Sequence, residues 1–318
     1  MWLLYLLEGI RNPIFDAFFS AITLLGDEVA FMAIGMIVFW CVDKYQGYFL
    51  FCIGFIGTVV NQFLKMIFRI PRPWVKDPSF TIVESAREAA TGYSFPSGHT
   101  QTSVGAFGGL ARWNKHKLVR VLAISACVLV PFSRMYLGVH TPLDVGVSVV
   151  LALAMVFIGY PLFKKAASSP KIMYAILTTV TLLSLALLLF VSLYQFPAEV
   201  YGESGIHNLT SARKNGYTLL GCGLGFIAVY TVDIKYTNFT VKAVWWAQIL
   251  KVLGGLALIM LVKEGLRAPI DAIFGGHLIA RAVRYMLMVI VGGALWPMTF
   301  NWFSKLGAGR SDDIKEEK

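Results

Sequence analysis

Charge is scarce in this chain of 318 residues: 14% are Asp, Glu, Lys or Arg, while 57% are hydrophobic. An ordinary soluble domain carries about 25% charged and about 45–50% apolar residues. A water-soluble globule is therefore excluded, and the membrane class follows. Acidic residues are the scarcer sign, 18 against 28 Lys and Arg, for a formal net charge of +10. Cysteine is limited to Cys41, Cys52, Cys127 and Cys222, all inside apolar stretches. None has CxxC or Cys/His spacing, so neither a disulfide scaffold nor a zinc site is expected. Internal repeats and low-complexity tracts are absent from the sequence, which removes solenoids and repeat arrays. The N-terminus, Met1-Trp2-Leu3-Leu4, lacks a basic region and a small-residue cleavage site, and does not read as a removable signal.

Long apolar runs are what the chain does have. A membrane-crossing helix needs roughly 17–25 mostly apolar residues. On that measure the sequence predicts an all-α, polytopic transmembrane bundle of about nine spans, near 28–43, 45–68, 98–113, 117–133, 141–163, 171–194, 214–232, 241–262 and 283–304. The first, third and fourth are short for a full crossing. Residues 2–24 form a further apolar segment broken by Asn12-Pro13, expected to lie in the interface or to enter the bundle. Basic residues concentrate in alternate connections, around Lys44, Arg112–Arg120, Lys164–Lys171, Lys235–Lys242 and the C-terminal tail. By the positive-inside rule those connections are cytoplasmic, the N-terminus is outside and the C-terminus inside. Basic charge dispersed over loops on one side also removes nucleic acid as a partner. The longer connections, 70–97, 195–213 and 263–282, then lie outside, where long ordered loops tend to carry function.

Three segments put polar groups beside the end of an apolar helix. In the first, Lys65 and Arg72 are seven residues apart, which two helical turns would bring to one face, and Pro71 and Pro73 end the helix there. In the second, Ser97 reads as an N-cap, Gly98 leaves backbone N–H groups open to a ligand, and His99 follows in the first turn. In the third, Arg134 precedes His140, with Thr141 as an N-cap, Pro142 as the first helical residue, and Asp144 one turn on, able to reach back to the imidazole. Three cations, a helix N-terminus and two histidines with a carboxylate describe a phosphate site with a nucleophile and a general acid.

These residues resemble the type 2 phosphatidic acid phosphatase superfamily, which also includes glucose-6-phosphatases and vanadium haloperoxidases. Its signature, KxxxxxxRP, then PSGH, then SRxxxxxHxxxD, occurs in order at Lys65–Pro73, Pro96–His99 and Ser133–Asp144. The resemblance implies that His140 attacks phosphorus to form a phosphohistidine, that Asp144 orients it, and that His99 protonates the leaving oxygen and later activates water. It implies that Lys65, Arg72, Ser97, Gly98 and Arg134 hold the phosphate, and that no metal or other cofactor is needed. The chain is expected to divide into three parts: a phosphatase core with an N-terminal interfacial helix over 1–165, added transmembrane helices of the same bundle over 166–305, and a charged, disordered cytoplasmic tail over 306–318. Beyond about residue 165 the chain departs from six-span bacterial lipid phosphatases, and a nine-span layout is similar to glucose-6-phosphatases.

The leading expectation is hydrolysis of a lipid phosphate or diphosphate at the outer face of a bacterial cytoplasmic membrane. Undecaprenyl diphosphate, phosphatidic acid, phosphatidylglycerol phosphate and a sphingoid phosphate are the candidates. A soluble monoester such as glucose-6-phosphate, or phosphotransfer to another acceptor, is the alternative. A transporter or scaffold that kept the fold without the chemistry is disfavoured, because every motif histidine and arginine is retained. Free histidine titrates near pH 6.5, so a rate profile with an acid and a basic limb around that value is expected. Among the remaining polar residues, Arg69, His207 and His277 are candidates to edge the site. Asn208 and Asn238 match glycosylation sequons that are expected to be unused.

Overall fold

The computed structural model describes residues 1–306, apart from the side chains of residues 199, 201, 203 and 204. The tail expected at 306–318 falls outside that range beyond Leu306. Among the described residues no strand forms. The helices are α1 (Trp2–Gly9), α2 (Pro13–Thr23), α3 (Glu28–Cys41), α4 (Lys44–Phe68), α5 (Pro73–Lys76), α6 (Gly98–Trp113), α7 (Lys117–Tyr136), α8 (Pro142–Ala166), α9 (Pro170–Leu193), α10 (Glu203–Val232), α11 (Trp245–Gly265), α12 (Arg267–Ile273), α13 (Ile279–Ile290) and α14 (Phe300–Phe303).

Local chemistry sets many of these limits. Asn12 accepts from the Ile14 and Phe15 N–H groups, and Pro13 opens α2. Asp43 accepts from Tyr45 and Gln46 to start α4, which ends where Arg69 turns left-handed at φ 49°. Thr141 and Asp144 form a reciprocal capping box that opens α8, with Pro142 in its first turn.

Seven helical stretches are long and apolar enough to cross a membrane, and an eighth is formed if α2 and α3, bent by 52° at Gly26–Asp27, count as one broken span. The remaining expected span is α6, with 16 residues; its polar opening and its length leave it short of a full crossing. The expected nine spans are therefore seven or eight by length and composition, with α6 an inner helix packed on α3, α4, α7 and α8. Two starts also differ from expectation. Helix α10 begins at Glu203 and α13 at Ile279, each inside a segment that its polar residues marked as loop.

Helix α4 is the hub. Phe49, Leu50, Phe51, Cys52, Ile53 and Val59 are all buried on it. Its Phe51 and Phe55 meet Phe226 of α10, at centroid separations of 5.5 and 5.3 Å, so one apolar core runs through both halves of the chain. On the far side, α10 lies close against α9 and α13. A Cβ on Gly221 would come within 2.0 Å of the Ala282 carbonyl oxygen, and one on Gly223 within 2.7 Å of Thr181 Oγ1. Small residues permit this approach of helix backbones where lipid supplies no hydrophobic drive.

The N-terminal segment is tied across the end of the bundle that carries the three motifs. Tyr5 donates to Asp77 at 2.7 Å, Arg11 donates to the Thr81 and Tyr136 carbonyls, and Thr81 donates to Glu8. At the opposite end, Lys164 sits 3.8 Å from the Trp113 ring centroid and Arg112 sits 3.9 Å from that of Tyr160, the arrangement of cations on an aromatic rim.

Candidate active site

Lys65 lies on the last turns of α4, and Arg72 caps α5 after the left-handed turn at Arg69. The two are thus brought together by a turn and not by one helix face, as the spacing alone predicts. Both are buried. The segment 91–93 wraps them with backbone carbonyls. Lys65 Nζ donates to the Tyr93 oxygen, while Arg72 donates from Nη2 to Thr91 at 2.6 Å and from Nε to Gly92 at 3.1 Å. Gly92 has φ +70°, a backbone state that disfavours other residues and that turns this segment back over the cations. Arg72 Nη1 also donates to the Val139 oxygen and stands 2.9 Å from His140 Nε2.

Ser97 caps α6 as expected, accepting from Thr100 N–H, and Gly98 opens the helix. A Cβ on Gly98 would find no atom nearer than Asn61 Oδ1 at 4.0 Å, so the backbone there is open to a ligand. His99 Nε2 lies 2.7 Å from Asp27 Oδ1, a close polar contact without the alignment of a hydrogen bond, which becomes an ion pair when His99 takes up a proton. Asp27 is the N-cap residue of α3, yet it makes no side-chain cap bond. Next to it, a Cβ on Gly26 would meet the His99 carbonyl oxygen at 3.0 Å. The bend between α2 and α3 is pressed directly onto the start of α6.

His140 is fully enclosed. Its Nδ1 is 3.6 Å from Asp144 Oδ2 and 3.5 Å from Ser94 Oγ. The expected reach of Asp144 to the imidazole is therefore a near approach and not a formed hydrogen bond. The reason is competition. Asp144 Oδ2 accepts from Thr141 N–H at 2.7 Å and from Ser94 Oγ at 2.6 Å, both shorter. Burial first, and then Arg72, Arg134 and Lys65, hold the His140 imidazole neutral well below its ordinary 6.5.

Arg134 ends α7 and is buried. Its Nη1 donates to Thr23 Oγ1 at 2.6 Å, while Nε and Nη2 have no hydrogen-bond partner. Its carbonyl accepts from the Val139 and His140 N–H groups, which sets the turn carrying His140. Among the described residues, Lys65, Arg72 and Arg134 form no ion pair with a carboxylate. Buried cations without such a partner are costly to keep, and the arrangement suits an anion that brings its own charge.

A cavity of about 460 Å³ joins these parts. Lys65, Arg72, Gly98, His99 and His140 line it; Ser97, Arg134 and Asp144 adjoin these lining residues. Three groups on it or beside it escaped the sequence reading. Asp27 is there, with Thr23 behind it, because a lone Asp before an apolar helix reads as a cap. Ser94 bonds Asp144 from just before the second motif. Asn208, Ser211 and Asn215 of α10 also line it; their spacing of three and four residues was the available signal. Of the other candidates, Arg69 donates back to the Met66 carbonyl. His277 accepts from Ile279 N–H and packs edge-on to Tyr217, and neither it nor His207 lines the cavity.

Known proteins resemble this chain in two stretches. Residues 46–168 match the PAP2 superfamily, and residues 217–310 match the PAP2 superfamily phosphatase transmembrane extension. Human sphingosine-1-phosphate phosphatase 2 is 25% identical over 158 residues, which cover 48% of this chain and 39% of that protein. The undecaprenyl-diphosphatase BcrC of Bacillus subtilis (strain 168) is 33% identical over 107 residues, 34% of this chain and 52% of that one. The chain thus spans about half or less of the lengths of these curated relatives. Among solved structures, Aquifex aeolicus LpxE is similar over 50% of this chain and 93% of that chain, with 25% identity and a TM-score of 0.45.

Proposed function

This chain belongs to the PAP2 superfamily, and from that membership and the geometry above we propose that it is a membrane phosphatase acting on a lipid phosphate through a phosphohistidine on His140. The observation that carries the proposal is the set of three buried cations, which pair with no carboxylate among the described residues, gathered about two histidines and the open N-terminus of α6.

The chemistry divides into two steps. A phosphate entering the cavity takes donors from Lys65, Arg72, Arg134 and the α6 N-terminus, and in doing so draws Arg72 Nη1 off His140 Nε2. The freed Nε2 lone pair attacks phosphorus. The N–P bond forms, the ester P–O bond breaks, and the leaving oxygen receives its proton from His99. Asp144, held by Thr141 and Ser94, offsets the positive charge that develops on the His140 ring. His99 then removes a proton from water. The resulting hydroxide attacks phosphorus, the N–P bond breaks, and inorganic phosphate leaves with His140 neutral again. The donors act most strongly on charge spread over the equatorial oxygens of the transition state. The site faces outward in this proposal, because the basic connections lie at the other end of the bundle.

The test is phosphate release by the purified protein from phosphatidic acid, a sphingoid phosphate and undecaprenyl diphosphate, beside His140→Ala. The variant should lose essentially all turnover and all acid-labile phosphoenzyme. Full activity in His140→Ala would sink the nucleophile assignment. Release from a soluble sugar phosphate with none from any lipid would replace the lipid reading by the soluble one.

A further inference from the structure

The cavity does not end at the phosphate-binding residues. Along α10 it is walled by Asn208, Ser211 and Asn215, and facing them are Gln62 on α4 and Gln101 and Thr102 on α6. The α10 residues lie on one face of a single helix, because spacings of three and four residues return to the same side. Leu209 and Ala212 between them, and Leu219 one turn beyond, turn into the apolar core. The polar stripe is therefore a separate face, aimed at the cavity.

These side chains are not committed elsewhere. Among the described residues, Gln62, Thr102, Asn208, Ser211 and Asn215 form no hydrogen bond through their side chains. Gln101 Oε1 is buried without a partner, and its Nε2 reaches only Met155 Sδ at 3.7 Å. Of the six, Gln101 is buried and its unpaired Oε1 is costly to leave so; the other five are half-exposed on the cavity, with side-chain donors and acceptors free to meet a ligand. A hydrocarbon chain placed against this wall would leave every one of these groups unpaired.

Charge narrows the class further. Asp27 and Glu28 lie on the same cavity. A second phosphate attached to the first would bring added negative charge toward two carboxylates, whereas an ammonium or hydroxyl group would be accommodated. Residues 208–215 also fall between the two family matches, 46–168 and 217–310, so this wall belongs to neither matched region.

We propose that Asn208, Ser211 and Asn215 read the leaving group, and that the preferred substrate is a phosphate monoester whose alcohol carries hydroxyl or amino groups within a few bonds of phosphorus. This rests on the phosphatase reading above. A sphingoid phosphate and a hexose phosphate share this chemistry, one from a lipid source and one soluble. A prenyl diphosphate lacks it.

The full-length protein in detergent micelles tests it with four substrates: a sphingoid phosphate, hexose 6-phosphate, a prenyl diphosphate and p-nitrophenyl phosphate. The wild-type protein should favour one of the first two over the prenyl diphosphate, and which one it favours identifies the source. In Asn208→Leu and Asn215→Leu, kcat/KM on that substrate should fall roughly fivefold to tenfold relative to p-nitrophenyl phosphate, the effect of one lost hydrogen bond. Asn215→Gln and Asn208→Gln, which keep the amide, should lose less. An unchanged ratio in both leucine variants, or a wild-type preference for the prenyl diphosphate, overturns the inference while leaving the phosphatase reading intact. No phosphate release from any of the four overturns both.

Discussion

Replacing Asp27 by Asn isolates the one carboxylate that touches His99. The two side chains are nearly the same size, and Asp27 makes no bond to the helix it precedes. The protein should therefore fold as before. What changes is charge. Two unit charges about 4 Å apart interact by about 1 kcal/mol in water and about 4 kcal/mol at an effective dielectric near 20. The Asp27–His99 contact is closer, at 2.7 Å, but the aspartate side chain is 34% exposed, which pulls the interaction toward the low end. A value of about 1.5–2 kcal/mol follows, or roughly a tenfold to thirtyfold loss of rate wherever the His99 imidazolium is needed in the transition state. The need depends on the leaving group. An alkoxide must be protonated as it departs, while p-nitrophenolate departs with much less help. The assay is kcat on an alkyl phosphate and on p-nitrophenyl phosphate in Asp27→Asn, with Asp27→Glu to restore the charge. The expected outcome is a large loss on the alkyl ester, a clearly smaller one on the nitrophenyl ester, and recovery in the glutamate variant. Equal losses on both esters would show that Asp27 only supports the local structure, and no loss on either would refute the argument.

Three other changes test separate parts of the structure. Thr23→Val removes the hydroxyl that accepts from Arg134 Nη1 at 2.6 Å; a buried guanidinium then has one more unpaired nitrogen, and turnover should fall about fivefold to thirtyfold, with Thr23→Ser restoring it. The acid limb of kcat/KM should lie below pH 6.5, not near it as the free side chain suggests, because burial and then Arg72, Arg134 and Lys65 keep His140 neutral, and so nucleophilic, on the acid side of that value; a limb centred at 6.5 or above in a pH titration would contradict this. Gly221→Ala places a Cβ 2.0 Å from the Ala282 carbonyl oxygen, which forces α10 and α13 apart, and thermal unfolding in detergent should show a destabilisation of about 2 kcal/mol or more; an unshifted transition would mean the two helices are not in contact as described.

The fold was legible where apolar runs met their own caps. Helix α4 was expected at 45–68 and spans Lys44–Phe68: Asp43 caps its start, and the left-handed turn at Arg69 closes it just before Pro71 and Pro73, which were read as its stop. The start of α10 was not. Hydropathy weighs all faces of a helix together, and Asn208, Ser211 and Arg213 made the stretch before Lys214 read as loop. That stretch is helical with a polar face turned to a cavity. Asn208 and Ser211 both hid the helix and line the site, so the misreading and the missed wall share a cause.

The site shows where local spacing stops being informative. Lys65, Arg72, His99 and His140 converge because each stands at a helix end whose signals are in the neighbouring residues. Asp27 and Thr23 join them from a segment about forty residues or more before Lys65, and only the bend at Gly26 brings them there. Asp144 is the instructive case. Its spacing from His140 correctly marked a neighbour, but spacing does not say what else the carboxylate binds. Thr141 N–H and Ser94 Oγ hold it at 2.7 and 2.6 Å, leaving His140 at 3.6 Å. Fixed by its own helix cap before any charge develops, Asp144 does not have to be drawn into place by His140. A short approach of the imidazole as it becomes positive completes the contact, and the capping box that competes with that bond also fixes the position of the group that receives it.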